Sequence, residues 1–126
     1  MFIRKLEECP EFIAGDGSLL QELLHPDKQP VALRYSLAQA TVPVGQTCLP
    51  HALTTTEVYY ILSGEGEMHI DDEVQAVVPG DAIYIPPGAR QFIRNSGTAP
   101  LVFLCIVDPA WRKTDETVFA VDPKPG

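Results

Sequence analysis

Gly45–Gly64, GQTCLPHALTTTEVYYILSG, is the stretch on which the reading of this chain turns. It opens on a glycine turn, places His51 after an extended lead-in, crosses three threonines and sets Glu57 at the head of a second apolar strand. An imidazole and a carboxylate on adjoining strands, inside apolar sequence, are a pair able to hold a metal. Side chains alternate faces along a strand, so Thr47, Leu49, His51 and Leu53 are expected to point inward and Cys48 outward. On the next strand Glu57, Tyr59 and Ile61 point in, while Val58, Tyr60 and Leu62 point out.

Outward from this stretch the pattern stays β. Leu33, Tyr35, Leu37 and Gln39 alternate with Arg34, Ser36 and Ala38 until Pro43-x-Gly45 ends the run. Short strands are expected again around Met68–Ile70, Val74–Val78, Ala82–Ile85, Gln91–Arg94 and Leu101–Val107, separated by Gly, Pro and Asp turns. By the same alternation Gln91 and Ile93 face inward and Phe92 and Arg94 outward. Close-spaced strands with twelve prolines in the loops define an all-β sandwich or barrel.

The flanks read differently. Residues 1–30 are expected to form an arm that packs on the barrel or on a partner subunit. Within it, Phe12–Ala14 reads as a short strand, and Leu19–Leu24 fits neither the helical nor the strand period. Residues 31–107 form the barrel, and 108–126 a tail with a partly helical turn at Thr114–Thr117 and a disordered DPKPG end.

A net charge of −8 argues against nucleic acid and anionic membranes as partners. The longest apolar run, Leu101–Val107, is too short to span a bilayer, and the N-terminus lacks the pattern of a signal peptide. Three widely spaced cysteines, Cys9, Cys48 and Cys105, imply free thiols in a reducing compartment, so a cytoplasmic protein is expected. Cys105 reads as a small buried hydrophobe. His69 is expected to be exposed and uninvolved, and His25 to sit in a surface turn.

Two spaced motifs carry a resemblance. The first runs Gly45, five residues, His51, one residue, Leu53, three residues, Glu57, six residues, Gly64. The second runs Gly80, five residues, Pro86, one residue, Gly88, two residues, Gln91, three residues, Asn95. This resembles the small single-domain cupins (cupin 2, conserved barrel), whose motifs read G-x5-H-x-H-x3,4-E-x6-G and G-x5-P-x-G-x2-H-x3-N. The resemblance implies a double-stranded β-helix, or jelly-roll barrel, with a metal in its mouth held by three histidines and a glutamate. His51 and Glu57 match that set; Leu53 and Gln91 stand in the other two positions.

Two expectations stay open on this footing. In one, a divalent transition metal (Zn²⁺, Mn²⁺ or Fe²⁺) binds His51 Nε2, a Glu57 oxygen and the Gln91 amide oxygen. The protein would then be a metal-dependent oxygenase, isomerase, decarboxylase or lyase acting on a small polar or carboxylate-bearing molecule, with Tyr59 or Gln91 orienting the substrate. In the other, Glu57 hydrogen-bonds His51 and Gln91 in a metal-free pocket that binds or senses a small ligand without catalysis. Tyr35 joins Tyr59 in the pocket if its strand faces inward. The edges of a small jelly roll need cover, so a homodimer is expected.

Overall fold

The computed structural model describes residues 1–119, and the expected disorder of the DPKPG end lies outside them. Eleven strands fill the described chain: β1 (Phe12–Ile13), β2 (Leu19–Leu24), β3 (Ser36–Val42), β4 (His51–Leu53), β5 (Thr56–Ser63), β6 (Gly66–Ile70), β7 (Glu73–Val77), β8 (Ala82–Ile85), β9 (Gln91–Asn95), β10 (Leu101–Asp108) and β11 (Glu116–Val118). They pair antiparallel into a six-stranded sheet, β1-β2-β3-β10-β5-β8, and a five-stranded sheet, β11-β4-β9-β6-β7. The all-β jelly-roll class read from the sequence is the one observed. No helix among the described residues is long and apolar enough to cross a membrane.

Strand β10 shows why the sheets stack. Leu101, Phe103, Cys105 and Val107 are buried, while the residues between them are half-buried, the period-2 alternation of a strand with one face in the core. Phe103, Ile61, Ile85, Ile93 and Leu101 are fully buried between the sheets. Gly64 closes the turn after β5 with φ +83°, and a Cβ there would lie 2.5 Å from the Pro100 carbonyl oxygen. Only glycine meets both demands.

Several expectations need correction. Cys48 is buried in the core and Thr47 is exposed, the reverse of the simple alternation. The strand is not regular there: the Cys48 N–H bonds Ile93 and the Leu49 N–H turns to the Asp16 carbonyl. Pro50 then has no N–H to restore the ladder, so the alternation restarts at His51. The third strand begins at Ser36, not near Leu33, because its partner β10 ends at Asp108 before Pro109. Tyr35 falls outside the strand and is 40% exposed, so it takes no part in the pocket.

Leu19–Leu24 is a strand after all. A bulge between Glu22 and Leu24 breaks its alternation, and Gln21 Nε2 donates to the Leu6 and Cys9 carbonyls of the preceding segment. Near Thr114 a single 3₁₀ turn, Lys113–Asp115, leads into β11, which pairs with β4. His25 is buried: Asp27 N–H donates to its Nδ1 at 3.1 Å, so its Nε2–H donates to the Trp111 carbonyl at 2.7 Å. His69 is half-buried and outward, bonded to Glu67 at 2.7 Å and stacked on Phe92 with ring centroids 4.1 Å apart.

Candidate functional site

The inward faces of both sheets contribute to one site. Strand β5 alternates cleanly, burying Glu57 and Tyr59 and leaving Tyr60 42% exposed. From the five-stranded sheet, His51 of β4 stands directly opposite Gln91 of β9 in register. His51, Glu57, Tyr59 and Gln91 are all buried, as their parity predicts.

Gln91 Nε2 donates to Glu57 Oε1 at 2.8 Å, joining the sheets through their facing side chains. His51 Nδ1 lies 3.0 Å from the Leu49 carbonyl oxygen. A carbonyl only accepts, so Nδ1 carries a proton, which leaves Nε2 as the acceptor of the corresponding neutral tautomer. Tyr59 packs on Phe103 with ring centroids 4.5 Å apart, and its hydroxyl has no hydrogen-bond partner among the described residues. Leu53 is buried as an apolar neighbour of His51.

A cavity of about 210 Å³ opens beside these groups, lined by His51, Glu57 and Tyr59 over an apolar floor that includes Phe103, Ala38 and Leu20. Sequence reasoning missed three further carboxyl groups in the lining, those of Asp16, Glu22 and Glu116. Asp16 comes from the loop between β1 and β2, where its Oδ1 accepts from the Ser18 hydroxyl at 2.7 Å. Its Oδ2 lies 3.9 Å from His51 Nδ1. Glu116, on β11, accepts from Trp111 Nε1 at 3.2 Å. Nothing in the sequence shows that Leu49 N–H would fasten the Gly15-Asp16-Gly17 turn over the pocket.

Burial dominates the electrostatics. It pushes the Glu57 carboxyl up to about 7, against the opposing pull of His51 and the Gln91 hydrogen bond, with Asp16 and Glu116 adding to the rise. Burial likewise holds the Tyr59 hydroxyl and the Cys105 thiol well above their ordinary ranges, and raises Cys48 too. Thiols so held in protonated form are not nucleophiles. All three cysteines are free.

As they stand, these groups suit a hydrogen-bonded pocket better than a transition-metal centre. Among the described residues no three His, Cys, Asp or Glu side chains gather as a metal would need. Gln91 presents its amide N–H, a donor, to the carboxylate a metal would share. Its oxygen is buried with no hydrogen-bond partner.

Two facing antiparallel sheets with a small cavity between them form a cupin-type barrel. The cupin domain family matches residues 38–107, and the chain belongs to that family. It is 44% identical over 113 residues to the uncharacterized protein MJ1618 of Methanocaldococcus jannaschii, covering 89% of this chain and 90% of that one. An oxalate-binding protein of Thermotoga maritima is 29% identical over 113 residues, covering 85% of this chain and 93% of its own. Among solved structures, the Streptomyces nucleoside dehydratase Pac13 superposes with a TM-score of 0.76 at 21% identity, covering 94% of this chain and 91% of the dehydratase. At that identity the match speaks to the fold alone.

Proposed function

We propose that this chain binds a small polar molecule in its barrel cavity and handles it through Glu57 and His51 without a resident metal. The observation that carries this reading is the placement of the two side chains. Both are buried, both line one cavity, and each has its other side engaged, Glu57 by Gln91 and His51 by the Leu49 carbonyl. A carboxyl and an imidazole so held suit proton transfer to and from a bound molecule. The oxalate-binding relative supports a small-molecule ligand as the occupant. Elemental analysis of untagged protein tests the metal-free part: substoichiometric metal that reconstitution does not raise is expected. Stoichiometric metal lost on His51→Ala overturns it.

One observation favours a second reading. The buried, unpartnered Gln91 oxygen is a spare acceptor that the hydrogen-bonded pocket does not use. With His51 Nε2 and a Glu57 oxygen it would form the ligand set for a divalent transition metal. The same elemental analysis decides between the two.

We also propose self-association through the outer face of the six-stranded sheet. Tyr60, Leu62 and Tyr84 are 42, 40 and 61% exposed there, beside half-buried Val58 and Leu104, and the one charged side chain that β5, β8 and β10 turn outward is Asp108 at the end of β10, paired with Arg34 at 2.8 Å. The outer face of the five-stranded sheet carries Glu67, His69 and Arg94 instead. Two copies at −8 each meet with least repulsion on the face whose one outward charge on these strands is already paired. A dimer is expected by light scattering, and a monomer at all concentrations contradicts it.

A further inference from the structure

The cavity collects more negative charge than the two barrel motifs explain. Asp16 from the β1–β2 loop, Glu22 from β2, Glu57 from β5 and Glu116 from β11 bring four carboxyl groups to its wall, of which burial keeps Glu57 partly protonated at neutral pH. Against them stands one lysine. Lys28 is engaged by Glu22 at 2.6 Å, and its own side chain is 60% exposed, at the rim and not in the interior. A carboxylate-bearing guest would therefore enter against uncompensated like charge.

Hydrogen-bonding capacity points the same way, and does so independently of charge. His51 is 3% exposed and lines the cavity, its Nδ1–H is spent on the Leu49 carbonyl, and its Nε2 has no partner among the described residues, so that tautomer offers an acceptor there. Glu57 gives one oxygen to Gln91 and keeps the other. Asp16 and Glu116 each have one oxygen engaged by a donor, Ser18 or Trp111, and one not so engaged. Tyr59, also 3% exposed, and Ser36, whose Oγ accepts from Trp111 N–H, bring hydroxyl donors to the cavity. Acceptors exceed free donors, and buried acceptors left unmatched are costly.

We infer that the pocket takes a compact organic cation, a protonated amine on a short apolar body. The ammonium supplies the donors and the positive charge that the carboxylates and His51 Nε2 call for, and the apolar part lies on Phe103, Ala38 and Leu20. This rests on the reading of the cavity as a small-molecule site.

The test is calorimetric titration of the full chain at neutral pH with three matched probes: benzylamine, benzyl alcohol and benzoate. Benzylamine is expected to bind at least about tenfold more tightly than the alcohol, with benzoate weakest. The double variant Asp16→Asn/Glu116→Gln keeps the acceptors of Ser18 and Trp111 but removes two charges. It is expected to bring amine and alcohol to within about threefold while the alcohol stays unchanged. Benzoate binding as tightly as benzylamine, or a preference that survives the double variant, overturns the cation assignment and leaves the small-molecule site standing. Failure of all three probes overturns both. Loss of benzylamine binding on adding one equivalent of ZnCl₂ gives the acceptors to a metal and also overturns it.

Discussion

Gln91 Nε2 lies 2.8 Å from Glu57 Oε1, a hydrogen bond between side chains that belong to different sheets of the barrel. Gln91 is fully buried and Glu57 is 6% exposed. Replacing Gln91 with Leu keeps the core apolar but leaves the carboxylate without its donor. The expected cost is about 1–3 kcal/mol of unfolding free energy, measured by urea denaturation at pH 8 where Glu57 is ionised. The double variant Gln91→Leu/Glu57→Leu should recover most of that loss, since removing both partners leaves nothing unpaired. An equal loss in single and double variants would show that packing, not the hydrogen bond, sets the cost.

Glu57 also fixes a pH dependence. Its folded carboxyl titrates near 7, and an unperturbed glutamate near 4.5. Between those values the native state holds more protons than the unfolded chain, so stability falls as pH rises. The contribution is fully present below about 4.5, declines as the pH climbs toward 7 and levels off above it. Its full size is roughly 3 kcal/mol at 1.36 kcal/mol per unit. Denaturation midpoints from pH 5 to 8 should show this decline, and Glu57→Gln should flatten it. A metal on Glu57 would keep the carboxylate ionised and erase the decline in the parent protein as well.

The parts of the site that were legible in the sequence are those on regular strands. Glu57, Tyr59 and Gln91 sit where alternation put them because β5 and β9 run without interruption and bury one face. Cys48 was misplaced because Pro50 and the Leu49–Asp16 bond break the ladder just before His51. Asp16 and Glu116 were out of reach for a different reason. They come from opposite ends of the chain, and only the pairing of β11 with β4 and the fastening of the β1–β2 loop by Leu49 bring them to the cavity. His25 looked like a surface turn residue because its partner, the Trp111 carbonyl, is 86 residues away.

That burial gives His25 a structural role. Its ring accepts from Asp27 N–H and donates to the Trp111 carbonyl, tying the end of β2 to the segment after β10. His25→Ala removes both bonds and opens a gap in a buried site, with an expected loss of about 2–3 kcal/mol. Hydrogen exchange should show faster opening of β11, which follows Trp111, than of β10. Uniform acceleration across both strands would mean that His25 supports the whole barrel and not this junction.

Gly64 fixes the turn between β5 and β6. At φ +83°, with Pro100 oxygen 2.5 Å from where a Cβ would be, Gly64→Ala adds backbone strain and a clash with main chain that cannot swing aside. The expected loss is more than about 2 kcal/mol. Gly80 also has a positive φ, +93°, but has nothing within 4 Å of its Cβ direction, so Gly80→Ala should cost only the strain and lose less. Thermal unfolding of the pair separates the two contributions, and equal losses would contradict the clash.

Leu53 and Gln91 stand where the family places imidazoles, and both are buried beside His51 on β4 or opposite it on β9. If the metal is absent because donors are missing, and not because the backbone has moved, restoring them should restore binding. The double variant Leu53→His/Gln91→His gathers three imidazoles with the Glu57 carboxylate, a full donor set for Zn²⁺. It is expected to retain about one equivalent of Zn²⁺ through gel filtration, while the parent retains far less. Zinc should also raise the melting temperature of the variant and not of the parent, because only a folded-state site stabilises by mass action. Equal zinc retention by both proteins would mean that His51, Glu57 and Gln91 already suffice, and would return the pocket to the metal-binding reading.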